Sequence, residues 1–194
     1  MPVEENEKRP GYIPCGSAIT SYARNFTIRS AQTNYHPGER GFIYADTDSI
    51  HCDLEPDDIK GIRVHDKDFC CWKLESCWDK AVFARQKTYI EHVTMEDKKP
   101  IDNPYNNIKG AGMTNHCKML LNLSLEGTAD KSGYTEYGTD KKWTEEELEF
   151  LFDGEDKKIR TFSDFTIGLQ IPGQLKARTI KGGVVLFNDY FTMR

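Results

Sequence analysis

The sequence has 194 residues and a mass of 22.3 kDa, enough for one folded domain with a smaller appendage. Its formal net charge of −5 argues against binding of nucleic acid through the overall field, so such binding would depend on local cationic patches. No apolar run approaches the roughly 20 residues that a membrane span needs, and the charged start is unlike a signal segment. We therefore expect a cytosolic protein.

The first elements along the chain are a leader and a helix. Residues 1–12 are charged and contain prolines, which predicts a flexible leader. Pro14 and Gly16 then form a turn signal ahead of a predicted helix over about 17–35. Its apolar residues recur at helical spacing: Ile19, Tyr22, Ala23 and Phe26. Arg24 and Arg29 fall outside this stripe and are expected to be solvated or to serve a structural role, with contact to a partner as the alternative.

Residues 42–52 read FIYADTDSIHC and predict a β-hairpin with Asp46, Thr47 and Asp48 near its tip. If the acids lie on a strand, positions i and i+2 face the same side, so the two carboxylates leave it together. Like charges held so close raise at least one pKa unless a cation lies between them. The stretch therefore predicts either a metal site or a solvated tight turn.

The next elements mix helices and strands. Residues 66–84 carry Phe69, Trp72, Leu74, Cys77, Trp78, Ala81 and Val82 at helical spacing, which predicts an amphipathic helix. Residues 85–93 predict a strand, and the polar stretch 94–107 predicts a loop. The stretch IKGAGMTNHCKMLL, at 108–121, predicts a glycine turn followed by a helix, and residues 160–194 predict β-strands joined by turns.

Charge is distributed unevenly in the last third of the chain. Residues 128–156 hold ten acidic residues against three lysines, a net charge of −7, and Thr144 with Glu147 fits a capping box there. We expect this segment to be a solvated insertion, with a docking surface for another protein as the alternative. Residues 160–194 instead carry five basic and two acidic residues, a net charge of +3.

The six cysteines show no disulfide framework, so reduced thiols are expected. A zinc site could be drawn from Cys70, Cys77, His116 and Cys117, but their spacing is not a familiar one for zinc ligands.

Five blocks of sequence resemble the family B DNA polymerases. YADTDS at 44–49 is similar to motif C of that family, and Lys87-Thr88-Tyr89 is similar to its K-x-Y element. Lys109 with the following AGM resembles the turn between palm and thumb, IPCGSAITSYAR resembles the preceding palm helix, and GGVVLFNDYFTMR resembles the thumb's last strands. The blocks occur in the family's order from about residue 11 to 194. The chain is identified as a homologue of the C-terminal third of phi29-like, protein-primed DNA polymerases.

The resemblance implies an α+β fold made of two parts. Residues 13–108 would form the C-terminal part of a palm, an antiparallel sheet backed by the helices predicted at 17–35 and 66–84. Residues 109–194 would form a small mixed α/β thumb that carries the acidic insertion at about 128–156.

The resemblance also implies roles for individual residues. Asp48 would bind a catalytic Mg²⁺ or Mn²⁺ ion, with Asp46 as a weaker second ligand, in the two-metal mechanism of the complete enzyme. Lys87 and Tyr89 would contact the primer end, and Lys109 would touch template or primer phosphates. The tail cations would grip duplex DNA along a thumb ribbon: Lys176, Arg178 and Lys181. For each cation the alternative is an ordinary solvated surface position.

The chain departs from the family in what it lacks. The sequence contains no motif A aspartate, no fingers lysine and no editing exonuclease. It is therefore expected to be part of a DNA-directed DNA polymerase that binds primer-template DNA and is inactive alone. Its expected partners are dNTP and an N-terminal polymerase portion, with a terminal protein as a further candidate, in a bacterial host or phage-infected cell.

Three alternatives stay open. The chain could be a free-standing nucleic-acid-binding remnant without catalysis, or half of a split polymerase. An exposed apolar surface would favour the split enzyme, and a closed polar surface would favour the remnant. A metallohydrolase would need a third ligand that no H-x-H or E-x-x-H group supplies.

Overall fold

The computed structural model describes residues 11–125 and 159–194, which divide into two compact units between Leu74 and Glu75. The first unit is residues 11–74, and the second is residues 75–125 and 159–194. Residues 1–10 of the leader predicted over 1–12, the predicted acidic insertion at 128–156 and the capping box of Thr144 lie outside the described residues. No helix of the described ranges is long and apolar enough to cross a membrane.

The first unit consists of one long helix and one β-hairpin. Helix α1 (Ile13–Thr33) begins four residues before the predicted start, because Pro14 fits the first turn, where no backbone N–H is needed. Strands β1 (Phe42–Asp46) and β2 (Ser49–Cys52) pair antiparallel, as predicted, and a short 3₁₀ helix follows at Pro56–Asp58.

Helix α1 is tied to the base of the hairpin by Asn34, which is 1% exposed. Its backbone carbonyl accepts a 2.7 Å hydrogen bond from Phe42 N, and its side-chain amide donates to the carbonyls of Ser30 and Lys60. Lys60 N in turn donates to Asn34 Oδ1 at 2.8 Å. A Cβ atom on Gly41 would lie 2.2 Å from the Asn34 carbonyl oxygen, so only glycine allows this close approach.

The helix predicted over residues 66–84 is wrong. Residues 76–85 instead form strand β3 (Ser76–Arg85), and the chain before it is irregular. Cys70 has a φ of 55°, and Trp72 exchanges backbone hydrogen bonds with Arg63 and His65. The helical spacing of the aromatic residues was misleading because pairing with neighbouring chain decides the conformation here.

Trp72 belongs to the packing of the first unit rather than to a helix face. Its ring stacks on Phe26 with 5.3 Å between the ring centroids, and its indole N–H donates to Ser30 Oγ at 3.1 Å. The C-terminal half of α1 is therefore held by a stacking contact and polar bonds.

The second unit contains a three-stranded antiparallel sheet in the order β3-β4-β5, with β4 at Thr88–Glu96 and β5 at Lys99–Gly110. The strand predicted at 85–93 is present, but it begins at Thr88, after a two-residue turn, and the loop predicted at 94–107 is wrong. Strand β5 lies at the edge of the sheet and has only β4 as a neighbour, and an edge strand tolerates prolines such as Pro100 and Pro104 because no second strand needs their backbone N–H groups. A polar, proline-containing sequence can therefore still be a strand.

Helix α2 (Asn115–Ser124) and a two-stranded ribbon, β6 (Gln170–Ile180) with β7 (Gly183–Thr192), complete the second unit. Both were predicted. Thr114 caps α2 by accepting a 3.2 Å hydrogen bond from Cys117 N. The sheet, the helix and the ribbon enclose an apolar core: Ile90, Ile108, Met113, Cys117, Leu121, Leu125, Phe165, Ile171 and Met193. The expected α+β fold with antiparallel sheets is confirmed, with one helix beside the β1–β2 hairpin instead of two.

Candidate catalytic turn and nucleic-acid interface

Asp46 and Asp48 flank one tight turn in the first unit. Asp46 pairs with Ser49 in the hairpin, so Thr47 and Asp48 form a two-residue loop. The acids therefore do not share a strand face: Asp46 ends β1 and is half-buried, and Asp48 is an exposed loop residue. Thr47 has a φ of 46°, in the left-handed region that two-residue hairpin loops use.

Local hydrogen bonds hold the turn. Thr47 Oγ1 donates to Asp46 Oδ1 at 3.1 Å, and Ser49 Oγ donates to the Asp46 carbonyl at 3.1 Å. Thr27, on α1, donates from its hydroxyl to the Thr47 carbonyl at 3.1 Å. The small hydroxyl residues around the acids thus stabilise the loop, while the Asp48 carboxylate has no hydrogen bond or ion pair within the described ranges.

The donor set of this turn suits a hard divalent cation. Mg²⁺ prefers oxygen ligands, keeps several waters and commonly takes only one or two protein carboxylates together with substrate phosphates. Asp48 offers an exposed carboxylate, and Asp46 offers a second oxygen donor on the adjoining strand. Two carboxylates are an incomplete set for two metal ions, so this turn by itself fits one weakly held cation.

Lys87, Tyr89 and Lys109 meet at one end of the sheet in the second unit. Lys87 lies in the two-residue loop between β3 and β4, with a φ of 57°. Tyr89 pairs with Phe83 on one side and with Lys109 on the other, and its ring stacks on Phe83 at 5.3 Å. Because directly paired residues share a face, Tyr89 and Lys109 project from the face opposite to buried Ile90.

The two faces of the β6–β7 ribbon differ in charge, although both carry exposed apolar residues. Lys176 and Arg178 alternate with Leu175 and Ala177, so both cations lie on one face, and Lys181 is in the connecting turn. The other face is apolar and uncharged along Leu175, Ala177, Val184 and Leu186, which are exposed. The predicted cations therefore do share one side of the ribbon.

Lys176 is already paired within the chain. Its ammonium forms an ion pair with Asp189, whose side chain is 24% exposed, against 60% for Lys176. The hydrogen bond from Lys176 lowers the pKa of the Asp189 carboxyl below its usual value. Lys176 can bind a phosphate only in competition with this carboxylate.

A cleft of about 410 Å³ lies beside these residues in the second unit. Its wall combines cations with hydroxyl and amide groups: Arg85, Thr88, Gln174, Lys176, Tyr190, Thr192 and Arg194. Arg85 donates a hydrogen bond to the backbone carbonyl of Arg194, which joins the β3 end to the chain's last residues. Sequence reasoning assigned no role to Arg85 or Arg194. The position of Arg85 next to the K-x-Y element was the available signal.

The zinc candidates do not gain geometric support. All six cysteines are free thiols, and Cys117 is buried against Thr114, with 3.1 Å between Thr114 Oγ1 and its Sγ. The described residues contain no group of three or more His, Cys, Asp or Glu that could hold a metal ion.

Arg29 donates a hydrogen bond to Asn25 on its own helix, in keeping with the expected solvated position.

The apolar stripe of α1 is exposed. The exposed fractions of Ile19, Tyr22 and Phe26 are 65%, 76% and 42%. All residues from 11 to 26 are exposed. A helical stretch of this length is marginal without packing, because most helix stability in proteins comes from an apolar face that is covered.

Curated relatives match the chain over almost all of its length. The DNA polymerase of Streptococcus phage Cp-1 is 30% identical over 191 residues, and that of Bacillus phage phi29 is 33% identical over 193 residues. Each alignment covers 98% of this chain but only 25% and 28% of the respective relative. The chain thus spans about a quarter of the length of the curated relatives it matches. No protein-family model matches it.

Solved structures agree with the sequence relatives. Phi29 DNA polymerase complexed with primer-template DNA is 29% identical, with a TM-score of 0.57, and the match covers 95% of this chain and 27% of that one. The same polymerase complexed with primer-template DNA and incoming nucleotides gives a TM-score of 0.58, over 95% and 26% of the two chains.

Proposed function

We propose that this chain, a homologue of about one quarter of the phi29-like phage DNA polymerases, is the part of a DNA-directed DNA polymerase that presents a metal-binding turn and grips primer-template DNA. The observation that carries the proposal is the two-residue hairpin loop with an exposed Asp48 beside Asp46. The match to polymerases over 98% of the chain supports it. Because the relatives are phage polymerases, we propose that the chain acts in the cytoplasm of an infected bacterium.

Asp48 and Asp46 would hold a divalent cation, Mg²⁺ or Mn²⁺. When bound in a complete polymerase site, such an ion activates the attacking hydroxyl or stabilises the phosphates of the nucleotide. The residues of this chain contribute placement: the tight loop holds Asp48 in solvent, and the hydroxyls of Thr47 and Ser49 hold Asp46 and its backbone. Since one carboxylate pair is an incomplete site, we expect no polymerisation by the 194 residues alone.

Primer-template DNA would be gripped by the second unit. Lys87, Tyr89 and Lys109 lie at one end of its sheet, and the cleft beside them adds Arg85 and Arg194. Lysine acts there as a point charge toward phosphate, and arginine can bind phosphate with two parallel hydrogen bonds. Arg178 and Lys181 extend the cationic surface along the ribbon.

The partner proposed for this chain is the rest of a phi29-like polymerase, with dNTP as its substrate and a terminal protein as a second candidate partner. The exposed apolar stripe of α1 supports a protein partner over the free-standing remnant. About three quarters of each relative lies outside its alignment with this chain, and we propose that the corresponding polypeptide packs on this stripe.

Two substitutions test the division of roles between the units. Lys87→Ala should weaken binding of a primer-template duplex and lower the slope of log K against log salt by about one. Asp48→Asn should leave DNA binding largely unchanged and remove divalent-ion binding at the turn. Fluorescence anisotropy at several salt concentrations measures the first effect, and Mn²⁺ titration measures the second.

Lys99→Ala is the matched control, because Lys99 is an exposed lysine at the opposite end of the same sheet. It should change DNA affinity less than Lys87→Ala does. The reverse pattern, in which Asp48→Asn weakens DNA binding and Lys87→Ala does not, would contradict the assignment.

A further inference from the structure

Thr27 connects α1 to the loop that carries the two acids. Its side chain is on the buried side of the helix, and the residue is 8% exposed. Its hydroxyl lies 3.3 Å from the Ala23 carbonyl, one turn back on α1, and 3.1 Å from the Thr47 carbonyl, twenty residues away in the chain. Thr47 is the residue between Asp46 and Asp48.

We infer that Thr27 is a positioning residue that fixes the backbone of the Asp46–Asp48 turn and thereby the direction of the Asp48 carboxylate. The inference rests on the proposed metal-binding role of that turn. Thr27 touches no ligand in this scheme, since its hydroxyl acts through the carbonyl of Thr47.

The turn needs an external contact because Thr47 is poorly suited to its own conformation. Its φ of 46° is in the left-handed region, which β-branched residues rarely adopt. A conformation of this kind persists when its surroundings over-determine it. The Thr27 bond adds one constraint from α1 to those made inside the hairpin by Thr47 and Ser49.

The bond acts at the peptide that leads into Asp48. A hydrogen bond to the Thr47 carbonyl fixes the plane of the Thr47–Asp48 peptide. The orientation of that plane determines the direction of the Cα–Cβ bond of Asp48. Metal ligands must be held within about 0.5 Å of their productive position by supporting contacts. The hairpin is also attached to α1 at its base, through the hydrogen bond between Asn34 and Phe42. Thr27 makes the corresponding contact at the tip.

Other hydroxyls of α1 do not make this contact. Thr20 and Thr33 donate to carbonyls of their own helix, Thr33 to Arg29 at 2.9 Å, and both residues are exposed. Thr33 is therefore a matched control for Thr27, since it has the same side chain, the same helix and the same bond to the preceding turn.

The test uses the whole 194-residue chain, labelled with ¹⁵N for NMR. Thr27→Val keeps the shape of the side chain and removes the hydroxyl, Thr27→Ser keeps the hydroxyl, and Thr33→Val is the control. Two readouts are compared: the order parameters of the Thr47 and Asp48 amides without metal, and the Mn²⁺ concentration that half-broadens those amides. The Trp72 indole resonance reports whether the first unit is folded.

In Thr27→Val we expect lower order parameters at Thr47 and Asp48 and roughly three- to tenfold weaker Mn²⁺ binding, the usual loss for one hydrogen bond. Thr27→Ser should restore both readouts, and Thr33→Val should match the native chain. Unchanged order parameters and Mn²⁺ binding in Thr27→Val would overturn the inference. So would unfolding of the first unit in Thr27→Val alone, which would make the hydroxyl a general folding requirement.

The two readouts separate this inference from the proposed function. If the native chain shows no Mn²⁺ binding at the turn but Thr27→Val still loosens it, the positioning contact is supported and the metal-binding role is refuted. If Mn²⁺ binds at Asp48 equally in native and Thr27→Val chains, the metal-binding role stands and the positioning role is refuted.

Discussion

The two units are held together by different kinds of contact. In the second unit, nine apolar residues form a buried cluster that includes Ile90, Leu121 and Phe165. Among the described residues of the first unit, the buried ones are small or polar: Thr27, Ser30, Asn34 and Gly41. The candidate catalytic turn therefore lies in the first unit, whose described residues include no buried large apolar side chain.

This difference indicates how each unit obtains its stability. Burial of apolar area is the dominant favourable contribution to folding, and a net hydrogen bond contributes only about 1 kcal/mol. The second unit has an apolar core of its own, while the first depends on a few buried polar contacts and leaves the apolar stripe of α1 exposed. We expect the first unit to gain much of its stability only when a partner covers that stripe.

The largest effect should come from an apolar truncation in the second unit. Leu121 is 1% exposed, so Leu121→Ala should lower the free energy of unfolding by about 2–5 kcal/mol. Ile19 is 65% exposed, and Ile19→Ala should change it by less than about 0.5 kcal/mol. Urea denaturation of both variants measures this, and similar losses at the two positions would show that Ile19 is covered in solution.

A smaller effect is expected from a polar contact in the first unit. Asn34→Ala removes the side chain that satisfies the backbone of Ser30 and Lys60, and should destabilise that unit by about 1–3 kcal/mol. Hydrogen exchange at the Phe42 amide measures the loss, with exposed Asn25→Ala as the control. Equal exchange in the two variants would mean that Asn34 does not hold the hairpin base.

The smallest effect concerns a charge on the ribbon. Asp189→Asn removes the carboxylate paired with Lys176, which should tighten primer-template binding a fewfold and steepen its salt dependence by up to about one unit of slope. Asp102→Asn makes the same change of charge at an exposed position of β5 and serves as the control. Equal gains in both variants, measured by anisotropy across a salt series, would indicate a general charge effect instead of release of Lys176.

Local signals predicted the elements whose pattern and pairing partner are close in sequence. The hairpin at 42–52 follows from apolar residues on both sides of a short polar turn, and α2 follows from the helical stretch after the glycine turn in IKGAGMTNHCKMLL. The segment 66–84 misled because its aromatic residues are spaced like a helix face although residues 76–85 pair with β4. Strand β5 was missed because an edge position tolerates the prolines that argue against a strand.

The sequence by itself determined which groups are candidates, namely the acids of the YADTDS stretch with Lys87 and Tyr89 of the K-x-Y element, and it determined the resemblance to polymerases that the relatives confirm. Only the tertiary structure decided that Asp48 is in the loop instead of on the strand, that Thr27 reaches that loop, and that Lys176 is already paired with Asp189. The physical reason is that side-chain chemistry is a property of each residue, whereas contacts between residues far apart in the chain depend on the register and packing of the folded chain.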